Sequence, residues 1–374
     1  MEQRKCPLGL TVMLRNQYQG KRVWLSGHTG FKGAWLAEWL IELGAEIHGY
    51  SLAPASNPSL FVQVGLEKRI HCQQINDIRN IEAVRESLLE ARPDFVFHLA
   101  AQPIVRRSFA QPLETYETNV NGTLHVLEAL RSVDHPCTAI FVTTDKCYEN
   151  REHGLPYKEE DHLGGRDPYS SSKAMAEICI AAYRQSYFDS PGSLVRIASA
   201  RAGNVIGGGD WAEDRIVPDC MRALQNCEPI LVRNPSATRP WQHVLEPLGG
   251  YLWYAAALSR DPSIPRSLNF GPDPGSNRSV EDLVTETLKY WSGKWIDGSG
   301  TAALHEAKLL NLSIDRAASL GWSPIWDFER TVRETVEWYR VIENAPGRAR
   351  EMTDAQIFAY VSEAKATGAV WATP

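Results

Sequence analysis

Tyr169 and Lys173 stand four residues apart in the run Tyr169-Ser170-Ser171-Ser172-Lys173. On a helix that spacing brings both side chains to one face. An ammonium beside a phenol favours the phenolate, lowering the tyrosine pKa toward working pH and making it a proton acceptor. The same spacing arises by chance on many solvated helices. Thr143-Thr144, at the end of the strand predicted upstream, separates the two readings, because Thr144 can hydrogen-bond a substrate hydroxyl. Directly after it come Asp145 and Lys146. Reversible oxidation of a hydroxyl needs only Tyr, Lys and Thr. Eliminating water also needs an acid for the leaving hydroxyl and a base for a C–H proton. Asp145 and Lys146 could take those roles in either assignment, or could form a surface ion pair at a strand end.

Gly27-His28-Thr29-Gly30-Phe31-Lys32-Gly33 has the spacing G-x-x-G-x-x-G, after the first predicted strand and opening a helix. Such a turn lets backbone approach a pyrophosphate and aims a helix N-terminus at it. Glycine-rich strand-to-helix turns also serve packing alone; the position on the first strand, and Asp77 at the offset that reaches the adenine end, favour a dinucleotide. An acidic residue to hold the ribose hydroxyls is missing where the second strand ends, at Gly49-Tyr50-Ser51-Leu52. No arginine cluster for a 2′-phosphate stands there either, so NAD is expected over NADP.

Arg201, Arg215, Arg233 and Arg239 are candidates for a diphosphate, since a planar guanidinium can pair two oxygens at once. Each taken singly also reads as a surface arginine. Asn204 can contribute its side-chain amide, and His243 is either a ligand contact or a satisfied core histidine. His98 ends a strand and is expected to shape the cofactor crevice. Trp35 and Trp39 share a helical face and read as packing. His153, Glu159, Glu160, Asp161 and His162 are expected to form a solvated loop rather than a metal centre, and no metal is expected.

The elements that must position these groups alternate strand and helix through the first half, the pattern of a parallel sheet covered on both faces. Strands are predicted at 22–27, 46–51, 70–77, 94–100, 138–144 and 194–201, with helices from the glycine turn through Leu43 and near 80–91, 113–132 and 169–187. The expected fold is α/β, a Rossmann-like doubly wound parallel sheet with its crevice at the carboxyl ends of the strands. After Arg201 the rhythm breaks at Gly207-Gly208-Gly209 and Asn269-Phe270-Gly271-Pro272. The expected division is a leader over 1–20, a dinucleotide domain over 21–200 with segments near 239–272 interleaved, a smaller substrate lobe over 201–345, and a helical tail over 346–374. In that tail Thr353-x-x-Gln356 has the spacing of a capping box that would open the helix.

The chain has 374 residues, 43% hydrophobic and 22% charged, with a formal net charge of −6. That is ordinary globular composition with no basic surplus for nucleic acid or an anionic membrane. Seven scattered cysteines without a C-x-x-C pair argue against a disulfide framework or a zinc site. The first twenty residues lack the apolar stretch and cleavage site of a signal peptide, and no run approaches the roughly 20 apolar residues that span a bilayer. A cytoplasmic protein without membrane or nucleic-acid partners is expected.

The order glycine turn, His98-Leu99-Ala100-Ala101, Asn119-Val120-Asn121-Gly122-Thr123, Thr144 and Tyr169-x-x-x-Lys173 resembles the extended short-chain dehydrogenase/reductase superfamily, over about residues 20–330. The resemblance implies that Gly27, Gly30, Phe31, Gly33, Asp77 and Ile78 meet NAD, with Leu99, Ala100, Ala101, Asn119, Tyr169 and Lys173. Arg201-Ala202-Gly203-Asn204-Val205-Ile206-Gly207 is similar to the segment that meets a sugar-nucleotide diphosphate. Thr144-Asp145-Lys146-Cys147-Tyr148, Gly207-Gly208-Gly209-Asp210-Trp211 and Arg239-Pro240-Trp241-Gln242-His243-Val244 resemble the dehydratase branch that acts on CDP-D-glucose. The dTDP-sugar branch carries Asp-Glu where this sequence has Asp145-Lys146. The dense likeness around Arg239 favours that arginine for the diphosphate. The activity so implied is a redox-neutral lyase that removes water from the sugar, in a homodimer or higher homo-oligomer. A sugar-nucleotide 4-epimerase would leave Asp145 and Lys146 without work, and a catalytically silent NAD-binding regulator would not need Thr144, Tyr169 and Lys173 together.

Overall fold

The computed structural model describes residues 12–151, 154–299 and 310–373. Helix α1 (Val12–Tyr18) leads into β1 (Arg22–Ser26), α2 (Phe31–Glu42), β2 (Glu46–Ser51), α3 (Leu60–Gln63), β3 (Cys72–Ile75), α4 (Ile81–Ala91) and β4 (Phe95–His98). Then come α5 (Val105–Ala110), α6 (Pro112–Tyr116), α7 (Gly122–Leu130), β5 (Cys137–Val142), α8 (Pro168–Tyr183) and β6 (Val195–Ala202). A seventh strand, Ser267–Phe270, lies beside β6, and the parallel sheet runs from it through β6, β5, β4, β1, β2 to β3. The chain order reverses between β1 and β4, so a crevice opens there at the strands' carboxyl ends.

Alternation along the strands fills two cores. Val23 and Leu25 of β1 enter one cluster with α2, while Trp24 enters the other with Val84, Leu88, Val126 and Leu127 of α4 and α7. Helix α2 is buried from Gly33 through Leu40, which explains its apolar character all round. Trp35 and Trp39 are fully buried; Trp35 Nε1 donates to the Gly208 carbonyl at 2.9 Å.

The lobe adds α9 (Ile216–Gln225), α10 (Leu245–Arg260), α11 (Val280–Tyr290), α12 (Asp315–Ser319), α13 (Phe328–Asn344) and α14 (Ala349–Ala366), with three two-stranded ribbons among the described residues. Helix α10 supplies the sheet core with Leu248, Leu252 and Ala255.

Several expectations are corrected. The stretch near 113–132 is not one helix: α6 and α7 are joined by a wider π turn, Glu117–Asn121, that buries Asn119. Residues 12–18 of the expected leader form part of the body, for Tyr18 is buried and its hydroxyl donates to the Leu252 carbonyl at 2.8 Å. Thr353 and Gln356 do not open a helix. Both lie inside α14, where Thr353 Oγ1 donates to Ala349 O at 2.8 Å and Gln356 Nε2 to Glu334 O at 2.7 Å. Their polar atoms tie the helix to itself and to α13. Glu159 is not on a solvated loop; it is buried and accepts the Asn269 amide at 2.9 Å. His153 lies outside the described residues. Among the described residues no helix is long and apolar enough to cross a membrane.

Candidate active site

A cleft of about 1600 Å³ opens above the carboxyl ends of the sheet and reaches across to the lobe. That volume exceeds the roughly 300–1,000 Å³ of a pocket for one drug-sized ligand. Gly27, Gly30, Phe31 and Gly33 line it at one end, with Asp77, Ile78, Leu99, Ala100 and Ala101. A Cβ on Gly33 would lie 2.0 Å from the Gly27 carbonyl oxygen, so the turn closes more tightly than any side chain allows. Thr29 Oγ1 donates to the Leu52 carbonyl at 2.8 Å and lies 2.8 Å from Ser51 Oγ, fastening the turn to the end of β2. Ser26 Oγ accepts the amides of Leu99 and Ala100, each at 3.1 Å. Behind it His98 Nδ1 is 2.7 Å from Ser26 Oγ and Nε2 is 3.2 Å from Thr123 Oγ1. The turn opens α2 with Gly30 as its N-cap and no side chain capping it, which leaves the helix N-terminus available to a dinucleotide pyrophosphate. Hydrogen bonds from Arg79 hold the Asp77 carboxyl below its usual range.

Asn119 does not reach the cleft. Its Oδ1 accepts Gln102 N at 2.8 Å, and its Nδ2 donates to Ser172 Oγ at 2.9 Å and Gln102 O at 3.1 Å. The π turn has spent this side chain on aligning α8 with the loop after β4.

Helix α8 begins cleanly because Asp167 accepts the Ser170 amide at 2.9 Å and Pro168 fills its first position. Its first turns carry Tyr169 and Lys173 to the cleft opposite Thr144 and Lys146. Thr144 caps a short 3₁₀ turn, Asp145–Cys147; its Oγ1 accepts the Lys146 amide at 3.3 Å and donates to Asp145 Oδ1 at 2.9 Å. Burial pushes the Tyr169 phenol up to about 12, against hydrogen bonding to Thr144 and the nearby Arg215 cation. Burial pushes Lys173 down to about 8, opposed by Glu177, and its Nζ donates to the Val142 carbonyl at 3.4 Å.

Asp145 is buried just behind the cleft wall rather than lining it. Burial raises its pKa, opposed by Lys146, the Thr144 hydrogen bond and Arg239. Its Oδ2 lies 2.9 Å from where a Cβ on Gly203 would stand, so the glycine makes room for the carboxyl.

Arg215, Arg233, Arg239 and Asn204 all line the lobe side of the cleft. Arg215 pairs with Asp210 at 3.0 Å. Arg239 is nearly buried and donates to Thr238 O at 2.8 Å. Arg201 is corrected: it is buried beneath the cleft, donating to Glu177 Oε2 at 2.8 Å, Tyr148 Oη at 2.8 Å and Glu159 O at 3.0 Å. Burial alone would raise the Glu177 pKa, but Arg201, Thr143 and Ser199 hold it below the usual value. His243 is likewise off the cleft. It is fully buried, with ring centroids 5.7 Å from Trp35 and 4.9 Å from Trp326, and burial pushes it down to about 3. It is a neutral core histidine.

Cleft residues also escaped the sequence reading, Lys32 foremost. Lys32, inside the glycine motif, points its Nζ to Tyr251 Oη at 3.4 Å. Burial, then Arg215 and Lys173, push it down to about 7. The available signal was a cation in the first turn of a helix, where the macrodipole opposes it.

The GDP-mannose 4,6 dehydratase family profile matches residues 25–255. A CDP-glucose 4,6-dehydratase of Salmonella typhimurium is 45% identical over 335 residues, spanning 87% of this chain and 92% of the relative. Among solved structures, a UDP-glucose 4-epimerase from Stenotrophomonas maltophila with bound NAD superposes with a TM-score of 0.74 at 19% identity, covering 87% of this chain and 99% of the other. A dTDP-glucose 4,6-dehydratase from Bacillus anthracis in complex with NAD gives a TM-score of 0.70 at 18% identity, over 86% and 97% of the two chains.

Proposed function

The chain belongs to the GDP-mannose 4,6 dehydratase family, and from that premise we propose that it converts CDP-D-glucose to CDP-4-keto-6-deoxy-D-glucose and water, with NAD as cofactor. The observation that carries the reading is that Thr144 and Lys146 line the cleft together with Tyr169 and Lys173, with Asp145 hydrogen-bonded to Thr144 just behind them. The Asp-Lys pair is idle in an epimerase.

Gly27, Gly30, Phe31, Gly33, Asp77, Ile78, Leu99, Ala100 and Ala101 would hold the cofactor. When bound, NAD would supply the hydride acceptor for oxidation at sugar C4 and the hydride donor for reduction at C6. Tyr169 takes the O4 proton, with Thr144 orienting the hydroxyl and the Lys173 ammonium supporting the phenolate. The resulting 4-keto group acidifies C5–H. Burial favours the protonated form of Asp145, which suits it to protonate the departing C6 hydroxyl, while Lys146 takes the C5 proton and returns one to C5 as hydride arrives at C6. Arg215, Arg233, Arg239 and Asn204 bind the diphosphate. Residues 21–200 serve as the cofactor domain and 201–345 mainly as the substrate lobe. A cytoplasmic homodimer, pairing through the apolar surface of Leu113, Met175 and Ile178, completes the reading.

The test is incubation with NAD⁺ and CDP-, dTDP- or UDP-glucose, followed by mass spectrometry. Loss of one water from CDP-glucose is expected, strongly reduced in Tyr169→Phe and abolished in Lys146→Ala. Isomerisation without mass change would make the protein an epimerase instead.

A further inference from the structure

Asp214 stands at the cleft mouth, in the loop before α9, with its backbone in the left-handed region (φ 60°). Its Oδ1 accepts from two guanidiniums on opposite walls: Arg106 of α5 at 3.1 Å, from the sheet side, and Arg233 at 3.2 Å, from the lobe. All three side chains line the cleft and are a little over one-third exposed. Arg233 is also 3.5 Å from Asp219 of α9. One carboxylate oxygen is therefore shared by two cations, and exposed pairs of this kind are weak. A diphosphate offers a greater charge and paired oxygens that match the guanidinium fork, so it competes well for Arg233.

Building on the assignment of the cleft to a nucleotide sugar, we propose that Asp214 is a place-holding anion. Arg106, Asp214 and Arg233 form a tie across the cleft mouth. The entering diphosphate takes Arg233 from Asp214, and the weakened tie lets Arg106 swing free of the lobe. Arg106 and Asp214 thereby set how readily the substrate enters, without acting on the sugar.

Asparagine also tolerates the left-handed conformation, so Asp214→Asn removes the charge and keeps the backbone. The measurements are steady-state KM and kcat with CDP-D-glucose on the NAD-loaded enzyme, and stopped-flow tryptophan fluorescence for association. Asp214→Asn is expected to lower KM by about 1.4- to fivefold, the range a weak exposed ion pair spans. Arg106→Gln is expected to raise the association rate by a similar factor. An unchanged or higher KM in Asp214→Asn overturns the place-holder, since Asp214 would then be aligning Arg233 for the phosphate. An unchanged association rate in Arg106→Gln overturns the tie between the walls. If the wild type transforms no nucleotide sugar, the assignment of the cleft fails and the tie with it; an active wild type confines either failure to the tie.

Discussion

At Tyr169 desolvation opposes the charge that catalysis needs. The phenol lies near 12 and Lys173 near 8, so the pair stores its proton on oxygen until something cationic joins it. Lys173 then limits the alkaline side: its ammonium is present below its pKa and lost as pH rises through about 8. The expected profile is a fall in kcat/KM above pH 8, with that limb absent from the residual activity of Lys173→Met. Tyr169→Phe is expected to reduce kcat by about 10²–10⁴-fold, the contribution of a positioned acid–base, with NAD affinity retained in a fluorescence titration. Residue type alone did not reveal that Arg201 and His243 face away from the cleft. What buries Arg201 is Glu177, 24 positions earlier on a different element, and no local pattern announces that pairing.

At the scale of elements, the strands around the crevice were legible because burial on both faces writes continuous apolar runs such as β5. The π turn at Glu117–Asn121 was not legible, since inserting a wider turn leaves the apolar spacing close to that of one long helix. Thr353 and Gln356 misled for a related reason: a capping spacing has the same residue types as side chains that bond within and between helices. The joint among α10, α13 and α14 was wholly unreadable. There Glu246, fully buried on α10, accepts the amides of Ile325 and Trp326 at 3.1 and 2.7 Å and the Tyr360 hydroxyl at 2.7 Å. Glu246→Ala would leave these donors unpaired, at about 1–3 kcal/mol each. Denaturant unfolding should show a loss of about 3 kcal/mol or more for Glu246→Ala, and a smaller one for Glu246→Gln, which keeps one oxygen. Equal stability of the alanine variant would rule out the joint.

For the whole molecule, buried histidines limit stability in acid, and burial lowers His28 as well as the two that shift furthest. His98 and His243 both lie near 3 in the fold against 6.5 ordinarily. The unfolded chain therefore binds more protons than the folded one between those values. Their contribution is intact above pH 6.5 and is lost progressively as pH falls toward 3. At pH 5 the loss is about 2 kcal/mol for each histidine. Stability should drop between pH 7 and 5, and His243→Phe should flatten part of that slope if the ring is accommodated between Trp35 and Trp326; a slope unchanged in a folded variant would place the acid sensitivity elsewhere.

The contact between Gly33 and the Gly27 carbonyl has a consequence for how descendants of such a chain can diverge. That glycine is demanded by the path of the backbone, whether or not anything is bound or any reaction takes place. Lys146 is demanded by neither packing nor turn geometry. In a lineage released from selection for chemistry, the glycine signature would persist as a relic while Lys146 drifted. The fingerprint therefore reports ancestry, and the pair after Thr144 reports occupation.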